Sequence, residues 1–368
     1  MKPAHEILQK ENALATKVEH FRNRFRKILQ LQHRDTRSKD WHDFTLELFR
    51  FQAQANPVYG RFVELMGVVP SEVRAVQEIP FLPVELYQKQ RISVFSNPSY
   101  DSHSFESSGT TGSMPSKHPI DDLDWYDEVA FDGFARMVCD WNDRPLFIGL
   151  LPGYLERNNS SLVHMVQSFM SKANQDNPEE WFFLREFDAL ESKLSQLLDS
   201  GFPRERPIYI VGVTHALLTW VKCLNQHATP PAWLDLSIHV IETGGMKGHG
   251  KERIRTEVHE ELSLLTKGRP VGSEYGMTEL LSQAWSHAHG VFRCPPWMEV
   301  RMGALNDPKG WAEDGKQGRI HIVDLANVST CAFIATSDIG RQLDNDSFEV
   351  LGRYDHAEVR GCNLMAID

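Results

Sequence analysis

Cysteine is scarce in this chain of 368 residues: five stand at Cys139, Cys223, Cys294, Cys331 and Cys362. The number is odd, the spacings are wide and no CxxC pair occurs, which argues against a disulfide framework and a zinc ribbon and fits a reducing compartment. Long apolar runs are missing, since nothing approaches the ~18 uninterrupted residues that a spanning helix needs. The opening MKPAHEILQKENALATK has no apolar signal core. A soluble, cytoplasmic protein without a membrane span is therefore expected. Basic charge is in deficit, with 39 Lys and Arg against 50 Asp and Glu and a net charge of −11. An acidic surface repels phosphate chains, so a nucleic-acid partner is not expected, although one local pocket for a small anion remains compatible. The 24 Gly and 19 Pro follow no period, which excludes collagen-like and low-complexity chains.

Several familiar catalytic signatures are also missing. The spacing from Gly245 to Lys251 fits GxxxxGK, but Glu252 follows where a P-loop needs a magnesium-binding Ser or Thr. No GxSxG elbow is present. His287 and His289 have no carboxylate or cysteine nearby to complete a metal set and read as loop histidines.

What the chain does have is ordinary globular content, 41% hydrophobic and 24% charged, enough for a sizeable core. Length alone suggests about two to three lobes. In residues 5–31, Leu14, Val18, Phe21, Phe25 and Ile28 are spaced by four, three, four and three, one apolar stripe of a helix. Its basic opposite face admits two uses, docking to a partner or solvation of a helix packed on its own core. Residues 41–66 read as further helix, and Pro80 and Pro83 break any helix there. From about residue 100, buried strand-like runs (LFIGLLPG, PIYIVGV, LSIHVIETGG, PVGSEYGMTE) alternate with helical stretches. This texture implies an α/β fold with parallel strands joined by crossover helices, in which ligands sit beyond the carboxyl ends of strands. The last runs, RIHIVDL, CAFIATSDIG and FEVLGRY, are short and alternating, as in an antiparallel lobe. The expected organisation is a helical region over 1–100 packed on the core, an α/β nucleotide-binding core over 101–290, and a β-rich lobe over 291–368 ending in a short tail.

The densest chemical signal is Ser107, Ser108, Gly109, Thr110, Thr111, Gly112 and Ser113, all small and five of them hydroxylic. Such a loop offers N–H groups and hydroxyls to phosphate oxygens, glycine lets the backbone come close, and Lys117 follows with positive charge. A linker of this composition would seldom sit between apolar segments like these. Tyr275, Gly276, Met277, Thr278 and Glu279 put an aromatic ring, a turn, a hydroxyl and a carboxylate within five residues, able to stack a base, bond a phosphate and hold Mg2+. In Thr336-Ser337-Asp338 and Gly352-Arg353-Tyr354-Asp355 an Asp can take both ribose hydroxyls and an Arg can reach ribose or phosphate. Each is common alone; their order and co-occurrence carry the weight.

In that order SSGTTGS, ETGG, YGMTE, TSD and GRYD resemble the adenylate-forming superfamily of acyl-CoA synthetases. IPFLPVE, SSGTTGSMPSKH, RNNSSLVHM, TGGMKG and EVRGC further resemble one branch, the acyl-protein synthetases of bacterial bioluminescence, which activate fatty acids for a reductase complex. The resemblance spans about residues 50–368. It implies that Ser107, Ser108, Gly109, Thr110, Thr111, Gly112 and Lys117 hold the ATP phosphates, and that Gly244 and Gly245 line the adenine slot beside Tyr275 and Gly276. It implies further that Thr278 contacts the α-phosphate, that Glu279 binds Mg2+, and that Asp338 and Arg353 hold the ribose. The implied reaction is attack of a carboxylic, by the branch a fatty, acid on ATP to give acyl-AMP and pyrophosphate.

Two departures bear on the chemistry. Superfamily members continue into a mobile C-terminal domain with a catalytic lysine, whereas this sequence stops six residues after Cys362, so no full C-terminal domain is expected and Lys247 becomes the substitute candidate. The phosphate-loop lysine is displaced by one position, because Ser116 intervenes before Lys117. In the branch, a C-terminal cysteine takes the acyl group as a thioester and passes it to a reductase or carrier. Cys362, beside Arg360 and Gly361, matches it, since Arg lowers a thiol pKa and Gly frees the segment. The other four cysteines read as structural. Two other functions fit the same motifs: a phenylacetate-type carboxylate–CoA ligase, and a non-catalytic nucleotide-binding subunit.

Overall fold

A computed structural model describes residues 2–29, 38–108, 114–152, 159–244, 255–307, 309–344 and 346–353, with the side chains of 2–7, 28 and 29 left aside. The chain divides into two compact units, one of residues 1–101 with 296–368 and one of residues 102–295.

The first unit opens with three helices, α1 (Lys2–Leu29), α2 (Lys39–Ala55) and α3 (Pro57–Leu65). The α1 stripe is packed inward: Val18, Phe21 and Phe25 are buried, with Phe21 against Phe44 and Phe51, and Phe25 against Trp297. Buried Glu11 of α1 accepts hydrogen bonds from the N–H and the hydroxyl of Ser96. Between α2 and α3 the helix breaks at Asn56, because Pro57 disfavours helical geometry in the residue before it. Asn56 caps α3 by accepting from the N–H groups of Val58 and Tyr59, each at 3.1 Å. Pro80 precedes and Pro83 ends a short strand, β1 (Leu82–Pro83), and a 3-10 turn over Val84–Gln88 follows.

The second unit begins with a hairpin of β2 (His103–Glu106) and β3 (Lys117–Ile120), then α4 (Leu123–Met137) and β4 (Leu146–Leu150). There follow α5 (Ser161–Lys172), α6 (Phe187–Asp199), β5 (Ile208–Val213), α7 (Thr214–Leu224), β6 (Ile238–Thr243), α8 (Arg255–Leu262) and β7 (Gly272–Tyr275). Strands β4, β5, β6 and β7 are mutually parallel in that order, as runs linked by helices must be. β4 is buried at every position, so it reads as continuous rather than alternating hydrophobicity. Two short strands extend this sheet, β8 (Ala284–Ser286) antiparallel to β7 and β9 (Val291–Arg293) antiparallel to β8.

The chain then returns to the first unit with β10 (Met298–Gly303), β11 (Gln317–Asp324), β12 (Phe333–Gln342) and β13 (Ser347–Arg353), an antiparallel meander. β1 joins β12 in parallel, with Leu82 opposite Ile334 and Pro83 opposite Ala335. The α2–α3 corner is tied to residues 327–332: Gln52 donates to the carbonyls of Asn327 and Val328 and accepts from Ala332 N–H, and Asn56 donates to the carbonyl of Thr330.

Candidate functional site

The Ser/Thr/Gly loop joins β2 to β3, so two strands hold its ends. Glu106 and Lys117 are the last pair of the hairpin. One step beyond, Ser107 N–H donates to the carbonyl of Ser116 at 3.0 Å, and Ser107 Oγ accepts from Ser116 N–H at 2.9 Å. The neck is thus closed from both sides, and Ser108 beyond it is exposed. Gly109, Thr110, Thr111 and Gly112 lie outside the described residues. Lys117 is 65% exposed and its Nζ stands 3.0 Å from Glu106. A surface pair of this kind contributes only ~0–1 kcal/mol, so it does not commit the ammonium. Glu106 is itself anchored to the RNNSS segment: its N–H donates to the carbonyl of Asn159 at 2.7 Å, and its carboxylate accepts from Asn159 Nδ2 at 2.8 Å.

Gly244 and Tyr275 lie at the carboxyl ends of the adjacent parallel strands β6 and β7, where Thr243 is opposite Glu274 and donates its hydroxyl to that carboxylate. Gly244 has φ +83°, a conformation that favours glycine. At Gly276 a Cβ would crowd the Glu274 carboxylate, which would have to move aside, and the Gln283 side chain at 3.2 Å. Tyr275 is buried and its ring packs on Phe292 at 5.8 Å. The next turn is tied to the hairpin: His118 on β3 donates from Nδ1 to the carbonyl of Thr278 at 2.7 Å. Since a carbonyl only accepts, Nδ1 carries the proton. One hydrogen bond across 160 residues of sequence thereby ties strand β3 of this hairpin to the YGMTE turn. Gly245 and Lys247 lie outside the described residues, as does Cys362.

Glu279 is buried. Among the described residues no three His, Cys, Asp or Glu side chains are grouped to hold a metal by themselves. A carboxylate oxygen suits Mg2+, which keeps waters and takes further ligands from substrate phosphates, better than a structural zinc site.

Behind these strand ends lies a charged network that sequence reasoning missed. Glu242 of β6 is 3% exposed and accepts from the hydroxyls of Thr214 and Ser273. Arg255 Nε stands 3.9 Å and His259 Nε2 4.0 Å from the same carboxylate. Burial alone would raise its pKa, but His259, Arg255 and the Thr214 hydroxyl together hold it below the ordinary glutamate value. The Arg255 guanidinium in turn covers Phe292, 4.9 Å from the ring centre, and so braces the ring that packs on Tyr275. The only signal was one acidic residue in an otherwise apolar run. A second cluster, Asp127, His164 and Ser168, is not a hydrolytic triad: carboxylate and hydroxyl both address Nε2 of His164, at 3.0 and 3.4 Å.

Asp338 and Arg353 belong to the other unit and face each other across β12 and β13, with Arg353 Nε 3.6 Å from Asp338 Oδ1. Asp338 N–H donates to Thr336 Oγ at 3.0 Å.

A family profile described as "Acyl-protein synthetase, LuxE" matches residues 26–367. No curated protein sequence matches the chain. Among solved structures, the fold is similar to that of 2-hydroxyisobutyryl-CoA ligase. The form with 2-HIB-AMP and CoA in the thioesterification state aligns over 88% of this chain and 70% of that one, with TM-score 0.61 and 15% identity. The open form with the same ligands aligns over 86% and 70%, with TM-score 0.59 and 14% identity.

Proposed function

This chain belongs to the acyl-protein synthetase family LuxE, and from that premise we propose that it activates a fatty acid as acyl-AMP and loads the acyl group on Cys362 for a reductase or carrier protein. Family membership makes it an ATP-dependent, adenylate-forming acid ligase; substrate, acceptor and residue roles are the proposal. In the first step a carboxylate oxygen attacks the α-phosphorus of ATP, and the bond from that phosphorus to the bridging oxygen breaks to release pyrophosphate. In the second, the Cys362 thiolate attacks the acyl carbon and AMP leaves with the bonding pair, the thiol proton having passed to solvent.

The first step brings two anions together, and donors aimed at the transferring phosphorus offset that repulsion. Ser107, Ser108, Gly109, Thr110, Thr111, Gly112 and Lys117 cradle the phosphates, and Thr278 contacts the α-phosphate. Gly244, Gly245, Tyr275 and Gly276 take the adenine, and Asp338 and Arg353 the ribose. Glu279 holds Mg2+, whose chemistry here is to neutralise phosphate charge. Lys247 supplies the cation beside the adenylate. The observation that supports this reading is the His118–Thr278 hydrogen bond, which ties the hairpin carrying the Ser/Thr/Gly segment to the YGMTE turn.

Incubation with radiolabelled fatty acid and MgATP tests it. A hydroxylamine-sensitive label on the protein, lost in Cys362→Ser, is expected. No label on wild type, or an undiminished label on the variant, would overturn the thioester step. Release of acyl-CoA by Cys362→Ser when CoA is supplied would favour the CoA-ligase alternative.

A further inference from the structure

We propose that Glu85 is a positioning residue for nucleotide binding, fixing the strand segment from which Asp338 reaches the ribose; this rests on the ribose reading of Asp338 given above. Glu85 ends the IPFLPVE segment, which the proposed function leaves without a task. The pairing of β1 with β12 delivers it: Leu82 and Pro83 run beside Ile334 and Ala335, and the 3-10 turn that follows brings Glu85 alongside Ser337.

Each residue of Thr336-Ser337-Asp338 is then held from outside the strand or by its neighbour. Ser337 Oγ donates to Glu85 Oε1 at 2.8 Å. Arg319 Nη2 donates to both Glu85 oxygens, at 3.1 and 3.3 Å, while its Nε donates to the carbonyl of Thr336. Thr336 Oγ donates to the carbonyl of Ile320 at 2.9 Å and accepts Asp338 N–H at 3.0 Å. The β11–β12 register shifts between Arg319, opposite Ile339, and His321, opposite Ala335, so Thr336, Ser337 and Asp338 lie in the irregular stretch that the Arg319 guanidinium clamps. Without the Glu85 carboxylate, Arg319 and the Ser337 hydroxyl would lose their common partner.

Glu85 acts through Ser337 and Arg319, which hold the strand on either side of the peptide that leads to Asp338, and so shapes the ribose contact without being one. A clamp of this kind should affect only what Asp338 does, namely the recognition of ribose hydroxyls.

The test compares ATP with 2′,3′-dideoxy-ATP in carboxylate-dependent pyrophosphate exchange, for wild type, Glu85→Gln and Glu85→Ala. Wild type should prefer ATP by about tenfold or more in kcat/KM, the worth of charge-assisted hydrogen bonds to the hydroxyls. Glu85→Ala should raise KM for ATP about tenfold while kcat and the KM for the dideoxy nucleotide stay within about twofold of wild type. Glu85→Gln, nearly isosteric, should move the same way by less and guards against a variant that fails to fold. Equal losses with both nucleotides would mark a general structural role and overturn the inference, as would an unchanged KM for ATP. If wild type does not discriminate, the ribose reading of Asp338 fails and this inference falls with it. Discrimination that is present in wild type and intact in Glu85→Ala sinks the positioning role alone.

Discussion

Two buried residues connect the candidate site to the frame around it. His118, itself fully buried, joins the hairpin to the Thr278 turn by one hydrogen bond. His118→Leu removes the donor and leaves the Thr278 carbonyl without it, at a cost of about 1–3 kcal/mol. Pyrophosphate exchange should fall about tenfold or more, and His118→Asn, which restores an N–H donor, should recover part of the loss. Equal rates in the three proteins would show that the bond does not matter for the chemistry. Glu242 makes a pH-dependent contribution. Its carboxyl is held below the ordinary value of 4.5, so the ionised form stabilises the fold above that value, and the contribution disappears as pH falls through the lower folded-state value. Glu242→Gln should therefore destabilise by about 1–3 kcal/mol at pH 7 and by clearly less near pH 3, in urea unfolding at both values. A difference independent of pH would contradict the network as described. At this scale the motif residues stand out in the sequence as short runs of small, hydroxylic and aromatic side chains, the types that the proposed phosphate and base contacts would use. His118 and Glu242 were not legible in their roles, since each depends on partners that only the fold supplies: Thr278 for the first, and Thr214, Arg255, His259 and Ser273 for the second.

Among the elements, legibility followed length and burial. The continuous apolar runs of β4, β5 and β6 and the stripe of α1 were evident, because a buried strand or a packed helix face leaves a pattern over many residues. β2, β3, β8 and β9 were not, since strands of three or four residues offer too short a window for any period. α4 was also missed, although Trp125, Tyr126, Val129, Ala130, Gly133 and Phe134 form its buried face. Its first turn follows an Asp-Asp pair that reads equally well as a loop, and Asp122 proves to be the N-cap, accepting from Trp125 N–H. The α2–α3 corner is the element whose removal should be felt most clearly in stability. Asn56 caps α3 and also reaches the carbonyl of Thr330, so Asn56→Ala loses a cap and leaves a buried carbonyl short of a partner. The expected cost is about 2–4 kcal/mol, read as a lower urea midpoint with an unchanged m-value. Asn56→Asp should keep the cap and recover roughly the capping share of it, about 1 kcal/mol. A neutral Asn56→Ala would mean that the corner is not held as the hydrogen bonds indicate.

For the molecule as a whole, the α/β class was readable from alternating strand-like and helical runs and the adenylate-forming family from the order of five short motifs, and family profile and fold agree with that reading. Among the described residues no helix is long and apolar enough to cross a membrane. Harder to read was how distant parts of the chain combine: Gln52 bonds carbonyls 275 and 276 residues away, and no local pattern encodes such a partner. The net charge of −11 also bears on the chemistry at this scale: under the proposed function it leaves anion binding to the local N–H groups and cations around the nucleotide. Raising ionic strength should therefore change ATP affinity only modestly, whereas a nucleic-acid-binding surface would lose affinity over several orders of magnitude. The most direct measurement is ATP–pyrophosphate exchange with and without a fatty acid. The account predicts label returning to ATP only when acid and Mg2+ are both present, with the rate collapsing in Thr278→Ala. A protein that binds ATP yet shows no exchange with any carboxylic acid, or exchanges at the same rate without one, would contradict it.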